Sequence, residues 1–180
     1  MSGWEGVVLP SENTGSRETF VAALGSIYEH SPWVAEAVWK TGIAAMETSF
    51  VDLAAAMRKA VDAAPEPVQL ALLRAHPELA SRAALAGELT ASSTSEQRGA
   101  GLDQCSPEEL AQIREFNDIY RDRFGFPFII AVTGLTRSDI IDALRARCAS
   151  DHATERREAM RQVHKIGQIR LRALAEAQGN

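Results

Sequence analysis

Apolar side chains recur at three- and four-residue spacing along most of the chain. Phe20, Val21, Leu24 and Ile27 follow a capping serine, Ser16, and predict a helix over 17–29. Ser31-Pro32 puts a proline at the first position of a second helix, 33–40, which stops near Gly42. Met46, Phe50, Leu53 and Met57 share one stripe of a longer helix over 43–63, ended by Pro65. Pro67 opens a helix running to about 75. Pro77 pushes His76 out of the α region and closes that helix. A short helix over 78–85, closed by Gly87, and a polar connector over 88–92 come next. Ser93-Thr94-Ser95-Glu96 fits a capping box that opens a short helix towards Ala100-Gly101. Ser106-Pro107-Glu108-Glu109 opens a helix carrying Leu110, Ile113, Phe116, Asn117 and Tyr120, which ends by Gly125. Two more helices follow, over 136–148 and over 154–177, the last with Met160, Val163, Ile166, Ile169 and Leu174.

Phe126-Pro127-Phe128-Ile129-Ile130-Ala131-Val132 alone reads as extended. A lone strand has no partner for its backbone groups. The expected architecture is therefore all-α, a single-domain multi-helix bundle with one short extended apolar connector at about 126–132. Residues 1–15 read as a flexible lead-in and 16–180 as the helical domain. No internal repeat or low-complexity tract interrupts it.

Hydrophobic residues are 46% of the 180, enough for a sizeable core. The net charge of −5 argues against nucleic acid, which needs a clustered positive surface, and leaves room for a small anionic substrate. Cys105 and Cys148 are too few for a disulfide framework and read as reduced thiols of a cytoplasmic protein. The first residues lack a basic region followed by an apolar stretch, and no apolar run spans a bilayer, so neither a signal peptide nor a membrane role is expected. There is no Gly-rich phosphate loop, no H-E-x-x-H and no G-x-S-x-G. His30, His76, His152 and His164 are wrongly spaced for a helical metal pair. Neither a metal nor a cofactor is expected, and any catalysis should be acid/base work.

Four groups could carry that chemistry. His76 projects from a turn fixed by Pro77, as an acid/base or as a helix-end histidine stabilised by the dipole. Ser93, Glu96 and Gln97 share one face of a first helical turn, as a grip on a small polar ligand or as an ordinary capping box. The Phe124–Ile130 segment must place its backbone groups on a ligand or on neighbouring loops. Arg170 follows Ile166 by four on the basic last helix, and could be solvated or could bind a carboxylate bidentately.

In this order, His76-Pro77-Glu78-Leu79-Ala80, Ser93-x-x-Glu96-Gln97-x-x-Ala100-Gly101-Leu102 and Phe116-Asn117-x-x-Tyr120-x-x-Arg123-Phe124-Gly125-Phe126-Pro127-Phe128-Ile129-Ile130 resemble the OHCU decarboxylase family. Ile166-x-x-Ile169-Arg170-Leu171 resembles that family's last helix. The resemblance covers about 20–174. It implies an all-α homodimer that needs no cofactor and converts 2-oxo-4-hydroxy-4-carboxy-5-ureidoimidazoline (OHCU) into (S)-allantoin and CO2. It implies His76 and Glu96 as catalytic. It places substrate binding on Pro77, on Ser93, Thr94, Ser95, Glu96 and Gln97, on the backbone of Phe128, Ile129, Ile130, Ala131 and Val132, and on Arg170. Ser81 stands where the family often has glycine. The competing readings are a non-catalytic helical module binding a purine-like or ureido ligand, and a helical dimerisation module.

Overall fold

The computed structural model describes residues 4, 6–81 and 89–178. Eight α-helices are seen among them: α1 (Arg17–Leu24), α2 (Trp33–Trp39), α3 (Phe50–Asp62), α4 (Glu66–Arg74), α5 (Ala91–Gly99), α6 (Pro107–Phe124), α7 (Arg137–Arg147) and α8 (His152–Gln178). No strand forms among the described residues. An isolated antiparallel bridge, Val8 to Ser49, is seen. The all-α reading holds, and the Phe126–Val132 stretch takes no regular secondary structure.

The chain divides into two compact units, residues 1–75 with 164–180, and residues 76–163. In the first unit, Ser16 caps α1 through a reciprocal box with Thr19. The helix ends at Leu24 rather than at residue 29, because Gly25 passes under Pro32 and the chain turns there. Ile27 is still buried, but from a turn. The expected long helix over 43–63 is also divided. Ile43–Ala45 is a single 3-10 turn, and α3 starts at Phe50 with Ser49 as its cap. Thr48 causes the break: its hydroxyl donates to the carbonyls of Ile43 and Met46, fixing a non-helical bend. Phe50, Leu53, Met57 and Val61 form one fully buried stripe of α3. Phe20 packs on Trp39 with ring centroids 5.4 Å apart.

The lead-in is docked where it is described. Trp4 and Leu9 are buried, Leu9 N–H donates to Thr48 C=O at 3.0 Å, and Phe50 N–H donates to Val7 C=O at 3.1 Å. Two large apolar side chains in this polar stretch suffice to hold it down.

In the second unit, α6 and α7 begin at reciprocal capping boxes, Ser106 with Glu109 and Thr136 with Asp139. Gly125, at φ 75°, ends α6 in the left-handed region that favours glycine. The chain then enters the Phe126–Val132 segment. Tyr120 is the hub of its core, with ring centroids of Phe124, Phe126 and Phe128 at 4.7, 5.9 and 5.4 Å. Ile113, Ile140 and Leu144 of the same unit are fully buried as well. The 27-residue α8 begins in the second unit and continues through the first.

Candidate active site

His76 lies just past the end of α4, whose C-cap is Ala75, and is buried. The short helix expected over 78–85 does not start at its described end. Glu78 is irregular, Leu79 and Ala80 form a turn, and residues 82–88 lie outside the described residues. Ala80 has φ 50°, a left-handed conformation that costs an alanine about 1 kcal/mol. Bonds from two helices hold it there. Ala80 N–H donates to Gln97 Oε1 at 3.1 Å, and Asn117 Nδ2 donates to Leu79 C=O at 3.0 Å. One turn further along α6, Arg121 holds Glu78 Oε2 at 2.8 Å. The His76–Ala80 segment is thus tied to α5 at its end and to α6 in its middle.

The helix bearing Ser93, Glu96 and Gln97 starts earlier than its sequence suggests. Thr90, not Ser93, is the N-cap of α5, and its hydroxyl accepts Ser93 N–H at 3.3 Å. The expected connector over 88–92 therefore gives way to helix from Ala91. Ser93 is the third residue of the first turn and buried, and Gln97 is buried four residues on. The capping box between Ser93 and Glu96 is not formed, because Ser93 already lies inside the helix. Thr94 and Glu96 are half-buried and Ser95 is exposed. Because Gln97 Oε1 accepts from Ala80, the amide presents its NH2 as the remaining donor.

The Phe128–Val132 backbone is bonded to two helices and, through Leu135 N–H to Val132 C=O at 3.0 Å, to the loop that follows it. Ile129 C=O accepts from Arg147 Nη1 at 2.8 Å, and Ala131 N–H donates to Gln162 Oε1 at 2.9 Å. Arg147 also lies over the Phe128 ring, 4.6 Å from its centroid, and pairs with the fully buried Glu155 at 2.5 Å. Tyr120 donates its hydroxyl to the same Glu155 oxygen. Burial and that bond push the Tyr120 phenol far above its usual range. Gln162 is oriented by Glu158, whose Oε1 accepts from Nε2 at 2.7 Å. Arg161 beside Glu158 holds its carboxyl down at about 2.

Arg170 belongs to the first unit. It is buried there and donates to Glu29 Oε2 at 2.6 Å. The sequence reading allowed it an inward role, and the partner it finds within this unit is a protein carboxylate. His164, in the same unit, receives Tyr28 Oη at Nδ1 (2.9 Å) and meets Asp62 Oδ1 at Nε2 (3.0 Å).

Within the second unit the structure therefore ties the segment that starts at His76 to the helix carrying Ser93, Glu96 and Gln97. The Phe128–Val132 backbone is held separately, by Arg147 and Gln162, and the groups that fix these segments, Asn117, Arg147, Glu155 and Gln162, were not among the expected site residues. The available signal was Asn117, inside the Phe116-Asn117-x-x-Tyr120 motif. Arg147 and Gln162 carried none. No group of three or more His, Cys, Asp or Glu able to hold a metal is seen among the described residues, and no described helix is long and apolar enough to cross a membrane.

Residues 13–172 match the family model for OHCU decarboxylase. A 2-oxo-4-hydroxy-4-carboxy-5-ureidoimidazoline decarboxylase from Haloferax volcanii is 39% identical over 165 residues, covering 92% of this chain and 94% of that protein. A crystal structure of (S)-allantoin synthase superposes with a TM-score of 0.72 at 31% identity, covering 92% of this chain. This chain spans 54% of that one, about half its length. A crystal structure of OHCU decarboxylase in the presence of (S)-allantoin shares the fold, with a TM-score of 0.67 over 90% of this chain and 99% of its own. With a family match over most of its length and relatives of this identity and coverage, the chain belongs to the OHCU decarboxylase family.

Proposed function

We propose that this protein is a carboxy-lyase of urate breakdown that decarboxylates OHCU to (S)-allantoin, with His76 and Glu96 as its catalytic residues. The observation that carries the reading is the Gln97–Ala80 bond at 3.1 Å, which joins the His76 segment to the helix bearing Ser93 and Glu96. A buried imidazole, a carboxylate and an oriented amide are then supplied by two adjoining elements of one unit. That is an acid/base set matched to a small polar substrate.

The chemistry needs little more. Loss of CO2 breaks the bond between the carboxyl group and the hydroxyl-bearing ring carbon. The electron pair is taken up by the neighbouring C=N, whose nitrogen gains a proton. The hydroxyl proton then leaves as that carbon becomes a carbonyl, and the ureido-bearing carbon is protonated. Because the ring supplies the electron sink, the protein contributes orientation, exclusion of water and proton handling. Glu96 accepts the hydroxyl proton or holds ring N–H groups. His76 is the general acid or base. Pro77 fixes the backbone beside it. Ser93, Thr94, Ser95 and Gln97 of α5 and the Phe128–Val132 backbone grip the polar rim, and delivery of the last proton to one face gives one enantiomer. Arg170 is assigned to substrate on the family resemblance alone, with Arg170→Lys as its test. The active species is a cytoplasmic homodimer made of one helical domain per chain, with residues 1–15 as its lead-in. The measured mass in solution checks the dimer.

The test is to generate OHCU freshly from urate with urate oxidase and hydroxyisourate hydrolase, add the protein, and follow chiral allantoin by circular dichroism. The expected result is a fast rise of one enantiomer that is lost in His76→Ala and in Glu96→Ala, both still helical. Slow racemic decay with the folded wild-type protein would overturn the reading.

A further inference from the structure

The second unit grips its extended segment by alternate residues. Ile129 offers its carbonyl to Arg147 at 2.8 Å, and Ala131 offers its N–H to Gln162 at 2.9 Å. In an extended chain the N–H and C=O of one residue point to one edge and those of the next residue to the other. Both bonds therefore use the edge of residues 129 and 131. Ile130 and the N–H of Val132 face the opposite edge, where no protein partner bonds them among the described residues. Val132 C=O is taken by Leu135 N–H at 3.0 Å.

Each anchor is itself held in one orientation. Arg147 directs Nε (2.9 Å) and Nη2 (2.5 Å) at Glu155 Oε1, which is fully buried, and its guanidinium rests on the Phe128 ring. Only Nη1 is left to face Ile129. An amide side chain can flip, and a flipped Gln162 would set its NH2 against Ala131 N–H. Glu158 prevents this by accepting from Nε2, which turns Oε1 towards Ala131. Two charged networks are thus committed to one main-chain edge.

We propose that Arg147 and Gln162 are positioning residues that turn the N–H groups of Ile130 and Val132 towards the substrate, where they donate to carbonyl oxygens of its ureido or ring amide groups. This deepens the decarboxylase reading and rests on it. It separates the five backbone positions expected to bind substrate into two sets: 130 and 132 face the ligand, while 129 and 131 face the scaffold. The anchors act through the backbone and do not touch the reacting atoms. Their loss should therefore weaken binding more than it slows the chemical step.

The first arm needs no variant. Isotope-labelled wild-type protein is titrated with allantoin and its backbone amides are followed by NMR. Ile130 and Val132 amides should shift saturably, and those of Ile129 and Ala131 much less. Equal shifts across the four, or no saturable shift at any of them, would overturn the assignment. The second arm is kinetic. Gln162→Leu and Arg147→Lys should raise KM about tenfold, the equivalent of one backbone hydrogen bond, with kcat changed by less than about threefold. The exchanged pair Glu158→Gln with Gln162→Glu restores an acceptor at 162 and a donor at 158, and should recover most of the affinity. A Gln162→Leu variant with wild-type helicity and unchanged KM, or an exchanged pair no better than Gln162→Leu, would refute the positioning role. Should Gln162→Leu fail to fold, Arg147→Lys, the exchanged pair and the titration still decide. Wild-type protein without decarboxylase activity would sink the proposed reaction, while amide shifts confined to 130 and 132 would still show which edge meets the ligand.

Discussion

Removing Arg147 should cost this protein far more than an ordinary surface arginine. Its side chain is 12% exposed and its partner Glu155 is 0% exposed. Glu155 Oε1 receives three donors, two from Arg147 and one from Tyr120, while Oε2 is buried with no hydrogen-bond partner. Arg147→Met leaves that carboxylate with one donor in a dry site and also strips Ile129 C=O of its partner. Breaking a buried pair from one side costs about 3–5 kcal/mol. In a chain of this size that lowers Tm by about 6–20 °C. Glu155→Leu should cost a similar amount, because it strands the guanidinium. The double variant leaves only neutral groups unpaired, Tyr120 Oη and Ile129 C=O, at about 1–3 kcal/mol each. It should therefore be no worse than either single variant, giving a coupling energy above about 2 kcal/mol, whereas independent losses would sum. Thermal melts of the four proteins by circular dichroism measure all of this. Additive single-variant losses would refute the reasoning.

Other outcomes follow from the same geometry. Thr90→Ala should destabilise by about 1 kcal/mol, a fall of about 2–4 °C in Tm, because Thr90 caps α5; an unchanged melt would return the cap to Ser93. Glu158 has its folded pKa lowered to about 2 from 4.5, so its contribution is present above about 4.5 and lost as pH falls towards 2. The stability gap between wild type and Glu158→Gln should accordingly close across that interval. Burial lowers the His164 pKa against the opposing pull of Asp62, so the unfolded chain binds the proton first and stability should fall as pH drops below 6.5. His164→Gln should flatten that part of the profile. Gly167→Ala would set a methyl 3.2 Å from the Tyr28 ring, and should lower Tm by several degrees without altering helix content.

The helices were legible where the cap and the apolar stripe agreed. Ser106-Pro107-Glu108-Glu109 reads as a start, and Ser106 and Glu109 do close a box there. Thr136 and Asp139 behave alike. At α5 two such starts compete, because Thr90 and Ser93 both precede polar residues three places on. The choice of Thr90 leaves Ser93 and Gln97 on a buried face, and Gln97 is spent on a left-handed turn seventeen residues away. Local sequence does not carry that distance. The same holds for α3, where Thr48 bends a chain whose apolar spacing continues straight through it. The positions expected to meet substrate come from motif order. The groups that hold them were not legible, because Arg147, Glu155 and Gln162 look like any charged or amide residue on a helix until Ile129 and Ala131 are brought beside them.

The Phe126–Val132 segment makes its hydrogen bonds through main-chain atoms, while Phe128, Ile129, Ala131 and Val132 bury their side chains. Genetic variation edits side chains and leaves peptide groups untouched, except when it writes proline. Recognition placed on this segment is therefore shielded from ordinary substitution. An Ile130→Val protein should keep its affinity, and Ile130→Pro should lose it. The sharper instrument is chemical: incorporation of the α-hydroxy analogue of isoleucine at 130 replaces a single N–H by an ester oxygen and leaves every side chain in place.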